Sequence, residues 1–176
     1  SGDQPEPPAS WWDAATYGLL RAEGGEGARD VTAAPTPSPS FAVPAHTGVI
    51  ELPPLVVEYV YNAAGGGVDR AFASYNRGIQ GPTRRVPANV TVRVTLENAM
   101  PTEVTTLHHH GVHMVGTPYF DGALGLAQAG VQPGRRMTYE FLAWPPGTHF
   151  YHSHAHVQAA DGLKGMFIVD DPDDPY

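Results

Sequence analysis

The amino-acid sequence predicts an all-β Greek-key sandwich or barrel with an irregular N-terminal extension. The 176 residues include 20 Gly and 18 Pro, and this composition favours short strands joined by turns over long helices. Hydrophobic residues make up 41% of the chain and aromatic residues 10%, which is enough to build a core. After residue 48, apolar residues recur at every second position in several short segments, as they do on strands with one buried face.

The first 46 residues differ in composition from the remainder. Residues 1–8 and 32–44 are rich in Pro among small and polar residues, which is typical of extended linkers. We therefore divide the chain into a Pro-rich N-terminal extension or linker, residues 1–46, and a folded domain, residues 47–176.

Seven segments of the second part have the composition of strands. The clearest is residues 90–96, where Val90, Val92, Val94 and Leu96 alternate with polar residues. Turns are predicted at residues 62–67 and 78–82, where Gly is frequent. The predicted strands cover residues 55–61, 72–75, 90–96, 104–110, 137–144, 149–154 and 165–169.

Charge and cysteine content exclude several classes of function. The formal net charge is −8 and there is no basic patch, so no nucleic-acid partner is expected. The absence of Cys excludes disulfides, zinc–thiolate sites and a blue-copper thiolate within these residues. No apolar run approaches the roughly 18 residues of a membrane span. The chain starts at Ser1 and contains the glycosylation sequon Asn89-Val90-Thr91, from which we expect a secreted, extracellular protein.

Nearly all of the histidines lie between residues 108 and 156, and two His-x-His pairs stand out: His108 with His110, and His152 with His154. Side chains two residues apart on a strand project to the same face, so each pair presents two imidazoles together while His109 faces away. If the two strands are neighbours, four imidazoles converge. A single His-x-His is more often a chance surface feature, but two pairs on predicted strands favour a metal site. Four nitrogen ligands without a thiolate suit copper, zinc, iron or nickel.

The sequence lacks the motifs of several other classes of enzyme. No Gly-x-Ser-x-Gly turn is present for a serine hydrolase. No Gly-rich phosphate loop opens a helix. The sequence does not exclude a hydrolase that uses a pair of carboxylates, although no motif marks two particular acidic residues for that role.

An ordered series of short motifs surrounds the histidines. The motifs are Leu107-His108-His109-His110-Gly111-Val112, residues 116–122, Gln132-Pro133-Gly134, residues 146–154, and Gln158 with residues 161–169, and the segment 75–83 precedes them. Together they resemble the first domain of multicopper oxidases. The resemblance runs from about residue 55 to 171 and is greatest to the ascorbate oxidase and plant or fungal laccase branch, where the position of His109 is often Trp.

The resemblance implies a cupredoxin fold for residues 47–176, as a plastocyanin-like domain, and assigns roles to particular residues. His108 would ligate the type 2 copper, and His110, His152 and His154 the type 3 pair that binds and reduces O2. Asp121 matches an acidic residue thought to help deliver protons to oxygen. By residue chemistry alone, Asp121 is equally well explained as a turn residue before a glycine.

Three neighbouring histidines have no ligand role in the family pattern. They are His113, His149 and His156. His156 keeps the two-residue spacing after His154 and is the alternative candidate for a fifth ligand, unless the chain turns there.

The resemblance also defines what this chain would need to act as an enzyme. The family holds a type 1 copper with one Cys and two His, and completes the trinuclear site with four further His, in a later domain. We therefore expect copper as the cofactor, half of the ligands from this chain, and the rest from a protein partner or missing domains, with no oxidase activity for the chain alone. The assembled enzyme, resembling a laccase or ascorbate oxidase, would use O2 and a reductant. Two alternatives are a stand-alone copper-binding module and a structural cupredoxin module with empty histidines.

Overall fold

The computed structural model describes residues 47–61 and 70–174. The extension predicted for residues 1–46 and the turn predicted at residues 62–67 lie outside these ranges. The boundary between extension and domain stays a prediction.

The described residues are mostly β-structure, which confirms the predicted all-β class. A four-residue helix, α1 (Gln158–Asp161), and a 3₁₀ turn, Pro118–Phe120, are the helical elements among them. No helix in this part of the chain has the length and apolar character needed to cross a membrane. The strands are β1 (Val49–Tyr61), β2 (Ala71–Tyr75), β3 (Gly81–Pro87), β4 (Thr91–Asn98), β5 (His108–His110), β6 (Arg136–Leu142), β7 (Gly147–His152) and β8 (Lys164–Asp170).

The strands form two four-stranded sheets. The first has the order β2-β1-β4-β6 and the second has the order β3-β8-β7-β5. The pairs β1–β4 and β3–β8 are parallel, and the other neighbours are antiparallel. Strands far apart in sequence are therefore neighbours in each sheet, as the Greek-key prediction requires.

The core lies between the inner faces of these sheets. On β4, Val92, Val94 and Leu96 are at most 2% exposed, and the residues between them are half-buried, as the alternation predicted. Tyr151 of β7 and Phe167 of β8 are fully buried in the same cluster. Burial of each Val or Leu side chain on β4 contributes about 1.5–3 kcal/mol to the free energy of unfolding. Packing between β4 and the second sheet therefore stabilises both sheets.

Strand β3 was not predicted, because Gly81 and Pro82 at its start indicate a turn. Within residues 47–61 and 70–174 it is an edge strand, and β8 is its one neighbour. An edge strand tolerates proline, since one side of its backbone needs no ladder partner, and Pro82 and Pro87 both lie in it. The proline content therefore concealed a strand.

Two predicted strands are shorter than expected, and the difference affects the histidines. Strand β5 begins at His108 rather than at residue 104, and β7 ends at His152 rather than at His154. Beyond these points the backbone bonds to side chains and to more distant carbonyl oxygens: the N–H of His154 donates to Thr106 Oγ1 at 3.0 Å, and the N–H of Ser153 donates to a carbonyl oxygen at 3.0 Å.

Candidate metal centre

The paired strands β5 and β7 place three of the predicted ligands on one face. Side chains alternate across this pair, so His108, His110 and His152 share the outer face of the second sheet. His109 faces away from them, as predicted, and points into the core: it is 2% exposed, and its ring lies 4.4 Å from that of Phe141. The register pairs are His108 with His152, His109 with Tyr151, and His110 with Phe150.

All four predicted copper ligands are brought together at this position. The ring centroid of His108 lies 5.6 Å from that of His110, 5.1 Å from that of His152 and 5.3 Å from that of His154. The ligand atoms of His108, His110 and His152 lie within 4.8 Å of one another. His154, beyond the end of β7, is exposed, and its ring stacks on that of His152 at 6.0 Å.

Hydrogen bonds determine which ring nitrogen two of these histidines present. His108 Nδ1 lies 2.5 Å from the carbonyl oxygen of Asp121, and His152 Nδ1 lies 2.8 Å from that of Ser153. A carbonyl oxygen only accepts, so each Nδ1 carries the proton and each Nε2 keeps its lone pair. His152 Nε2 lies 3.4 Å from His110 Nδ1. Metal-binding histidines commonly donate their second nitrogen to a carbonyl or carboxylate in this way.

Burial favours the neutral form of one of these rings. It lowers the pKa of His152, and positive charge on His108, His110 or His154 would lower it further, while the bond to the Ser153 carbonyl acts in the opposite direction. A neutral imidazole has the lone pair that a metal ion requires.

Asp121 contacts His108 through both its backbone and its side chain. Its Oδ1 lies 3.3 Å from His108 Nδ1, and its side chain is 35% exposed. Gly122 makes this contact possible: its φ is +83°, and a Cβ there would lie 2.2 Å from the carbonyl oxygen of Leu107. Asp121 is therefore a turn residue before a glycine and also a neighbour of a predicted ligand.

The other three histidines of this region are placed differently. His149 Nε2 lies 2.9 Å from the carbonyl oxygen of Pro145. His156 is exposed and has a φ of +49° in the turn after His154. The N–H of His113, which is also exposed, donates to the carbonyl oxygen of Trp144 at 3.0 Å. Among the described residues, the group of close ligand atoms includes none of the three.

Phe150 is a neighbour of the histidines that was not predicted to be part of the site. Its ring stacks on His110 at 4.5 Å and on His152 at 5.1 Å, and the residue is 41% exposed. Its position two residues before His152 on a predicted strand was the available signal, since such residues share a face.

The donor set fits copper by its chemistry. It consists of imidazole nitrogens, which suit copper, zinc, iron and nickel, and it offers no thiolate. Three of these imidazoles have ligand atoms within 4.8 Å of one another, close to the separation of about 4 Å or less between two nitrogens that bind one ion at about 2.0 Å.

The sequence profile of the multicopper oxidase family matches residues 56–174. Among curated proteins, an L-ascorbate oxidase of Brassica rapa subsp. pekinensis is 43% identical over 90 residues, which cover 51% of this chain and 16% of that protein. The iron transport multicopper oxidase FET3 of Gibberella zeae is 41% identical over 112 residues, or 61% of this chain and 18% of that protein.

Solved structures show the same likeness. The crystal structure of Fet3p, described as a multicopper oxidase that functions in iron import, superposes with a TM-score of 0.67 and 32% identity over 73% of this chain and 24% of that one. A laccase from Botrytis aclada gives a TM-score of 0.68 and 29% identity over 74% and 24%. The chain thus spans about a quarter or less of the length of these relatives.

Proposed function

Because the chain belongs to the multicopper oxidase family, we propose that it supplies half of the histidine ligands of a trinuclear, O2-reducing copper site. In this proposal His108 ligates the type 2 copper, and His110, His152 and His154 ligate the type 3 pair. Residues 47–176 form the plastocyanin-like domain, and residues 1–46 are its extension.

The observation that carries this proposal is the position of the four imidazoles on an outer, partly exposed sheet face. His110 and His154 are exposed, and His108 and His152 are half-buried. A site on such a surface is open on one side, where further ligands from another surface can enter. A mononuclear site built to work alone would more commonly enclose its ion.

The residues of the chain have distinct tasks in this site. When bound, copper supplies the one-electron redox chemistry that O2 reduction requires. The carbonyl oxygens of Asp121 and Ser153 orient His108 and His152 so that Nε2 of each carries the lone pair. The Asp121 carboxylate, 3.3 Å from His108, holds and releases protons beside the site, since reduction of O2 to water consumes one proton for each electron.

Completion of the enzyme requires residues from elsewhere. The 176 residues contain no Cys, so the thiolate of a type 1 copper comes from another domain or a partner chain. The assembled protein would oxidise an organic reductant or a metal ion with O2, like a laccase or ascorbate oxidase. We also propose secretion, since the sequon residue Asn89 lies in a turn with a φ of +65°.

One observation favours a second candidate, a stand-alone copper-binding module. The three ligand atoms within 4.8 Å all belong to this chain, so a copper ion needs no partner to find three nitrogens. In a structural module, by contrast, the histidines would stay empty.

Copper content tests these proposals. The chain is first stripped of metal with a chelator, loaded with copper(II) and analysed together with His108→Ala and His154→Ala. We expect roughly stoichiometric copper that is strongly reduced in both variants. His156→Asn is the matched control, because Asn tolerates a positive φ, and it should bind as the unmodified chain does. Equal copper in the unmodified chain and His108→Ala would refute the histidine site.

Added imidazole separates the half-site from the closed module. If the open face admits further ligands, imidazole should change the electron paramagnetic resonance spectrum of the bound copper(II). An unchanged spectrum would favour the stand-alone module. A chain that stays metal-free in excess copper would exclude that module and leave a site formed only with a partner, or a structural domain.

A further inference from the structure

A buried polar network lies beside the exposed histidines. Eight polar or charged residues are buried among the described residues, and five of them make hydrogen bonds within or between the segment that leads into β5 and the turn after β7. Buried polar groups are costly unless they are paired, so their concentration in one place requires an explanation. The five are Asn98, Thr105, Thr106, Ser153 and Gln158.

Ser153 is the centre of this network and lies between two predicted ligands in sequence. Its hydroxyl donates to Gln158 Oε1 at 2.7 Å. The Ser153 oxygen also accepts from Thr105 Oγ1 at 3.4 Å and from the N–H of Ala155 at 3.1 Å. The hydroxyl therefore holds the turn after β7 from three directions.

Gln158 connects that turn to the segment that leads into β5. Its Nε2 donates to the carbonyl oxygen of Val104 at 2.9 Å and to Glu103 Oε2 at 3.2 Å. Asn98 Nδ2 donates to the Glu103 carbonyl oxygen at 2.8 Å, which anchors the same segment to the first sheet. The amide of Gln158 thus bridges the two stretches of chain that carry the histidine pairs.

Thr106 makes the most direct contact with a predicted ligand. Its Oγ1 accepts the backbone N–H of His154 at 3.0 Å. Because β7 ends at His152, no strand ladder holds His154, and this side chain takes the place of a ladder partner.

We propose that Thr106, Ser153 and Gln158 are positioning residues that hold His154 against His108. The proposal rests on the proposed function only for the identity of the metal, since the geometry of the rings can be measured without one. A fully paired buried network has few alternative arrangements, and it fixes the distance between the two histidine-bearing stretches. Residues that orient ligands commonly change metal affinity by about 10- to 100-fold when they are replaced.

The first test is metal-free. Nuclear Overhauser contacts between the rings of His108 and His154, whose centroids lie 5.3 Å apart, are measured in the full chain and in Thr106→Val, Ser153→Ala and Gln158→Leu. We expect loss of these contacts in all three variants. Ser74→Ala is the matched control, because Ser74 is also fully buried but its hydroxyl has no partner among the described residues. Contacts that persist in the three variants would overturn the proposal.

The second test is the affinity for copper(II), measured by titration with the electron paramagnetic resonance spectrum as the signature. Thr106→Val should bind at least about tenfold more weakly, and Thr106→Ser, which keeps the hydroxyl, should restore affinity and spectrum. An unchanged affinity in Thr106→Val contradicts the positioning role. If the unmodified chain binds no copper while the ring contacts still depend on the network, the positioning role stands, and copper binding by this chain without a partner is excluded. Should Thr106→Val not fold, Ser153→Ala, which removes a single oxygen, decides the matter.

Discussion

Replacing Gly122 by alanine is a small change that the structure predicts to be costly beside the candidate metal centre. Gly122 comes directly after Asp121, and its backbone lies against the start of β5. A Cβ at Gly122 would lie 2.2 Å from the carbonyl oxygen of Leu107 and 2.7 Å from the backbone nitrogen of His108. Since these neighbours are backbone atoms of a paired segment, they cannot rotate away as a flexible side chain would.

The magnitude is the sum of two separate costs. The φ of +83° at Gly122 costs any L-residue about 1 kcal/mol. Steric overlap in a packed region adds about 1–3 kcal/mol, and more where backbone must move. We therefore expect a loss of about 2–4 kcal/mol in the free energy of unfolding, a large part of the total for a domain of this size.

Gly125→Ala separates the two costs. The φ of Gly125 is +76°, and a Cβ there would meet nothing within 4 Å, so this variant carries the backbone cost of about 1 kcal/mol alone. Urea denaturation at neutral pH measures both variants against the unmodified chain. A difference of about 1–3 kcal/mol between them is expected. Equal losses would refute the close packing of Gly122 against the strand that carries His108.

The remaining predictions concern the core around the site. Burial lowers the pKa of His109 from 6.5 to about 3, so between these values the unfolded chain binds a proton that the folded chain does not. The contribution of neutral His109 to the free energy of unfolding is therefore fully present above about pH 6.5, and about 2 kcal/mol of it is lost at about pH 5. Urea denaturation of His109→Leu should show a smaller loss of stability between these pH values. An equal pH dependence in both proteins would contradict the burial of a neutral His109. The Tyr139 hydroxyl accepts the N–H of Leu107 at 3.1 Å and Nε2 of Gln128 at 3.0 Å, so Tyr139→Phe should cost about 1–3 kcal/mol, and a neutral effect in thermal unfolding would show that water replaces the hydroxyl. Leu96 is 0% exposed on β4, so Leu96→Ala should lower the free energy of unfolding by about 2–5 kcal/mol in urea denaturation. A loss below about 1 kcal/mol would mean that the core collapses around the gap.

Local pattern was sufficient for much of the fold. The alternation on β4 and the short apolar segments predicted an all-β domain because burial of one face imposes a period of two on any strand. Proline concealed β3, since an edge strand can carry residues that a central strand excludes. Strand ends were misplaced where side chains such as Thr106 replace ladder partners, and such replacements leave no periodic signal.

For the candidate site, too, some features followed from the sequence and others required the tertiary structure. The sequence by itself determined that His108 and His110 share a face, that His109 lies opposite, and that the chain carries the ordered motifs of a family. Only the tertiary structure decided that β5 and β7 are neighbours, that Asp121 reaches His108, and that the His154 ring lies against His108 although its strand has already ended. The physical reason is that same-face spacing is a property of one strand's geometry, whereas the convergence of two strands depends on hydrogen bonds between residues more than forty positions apart.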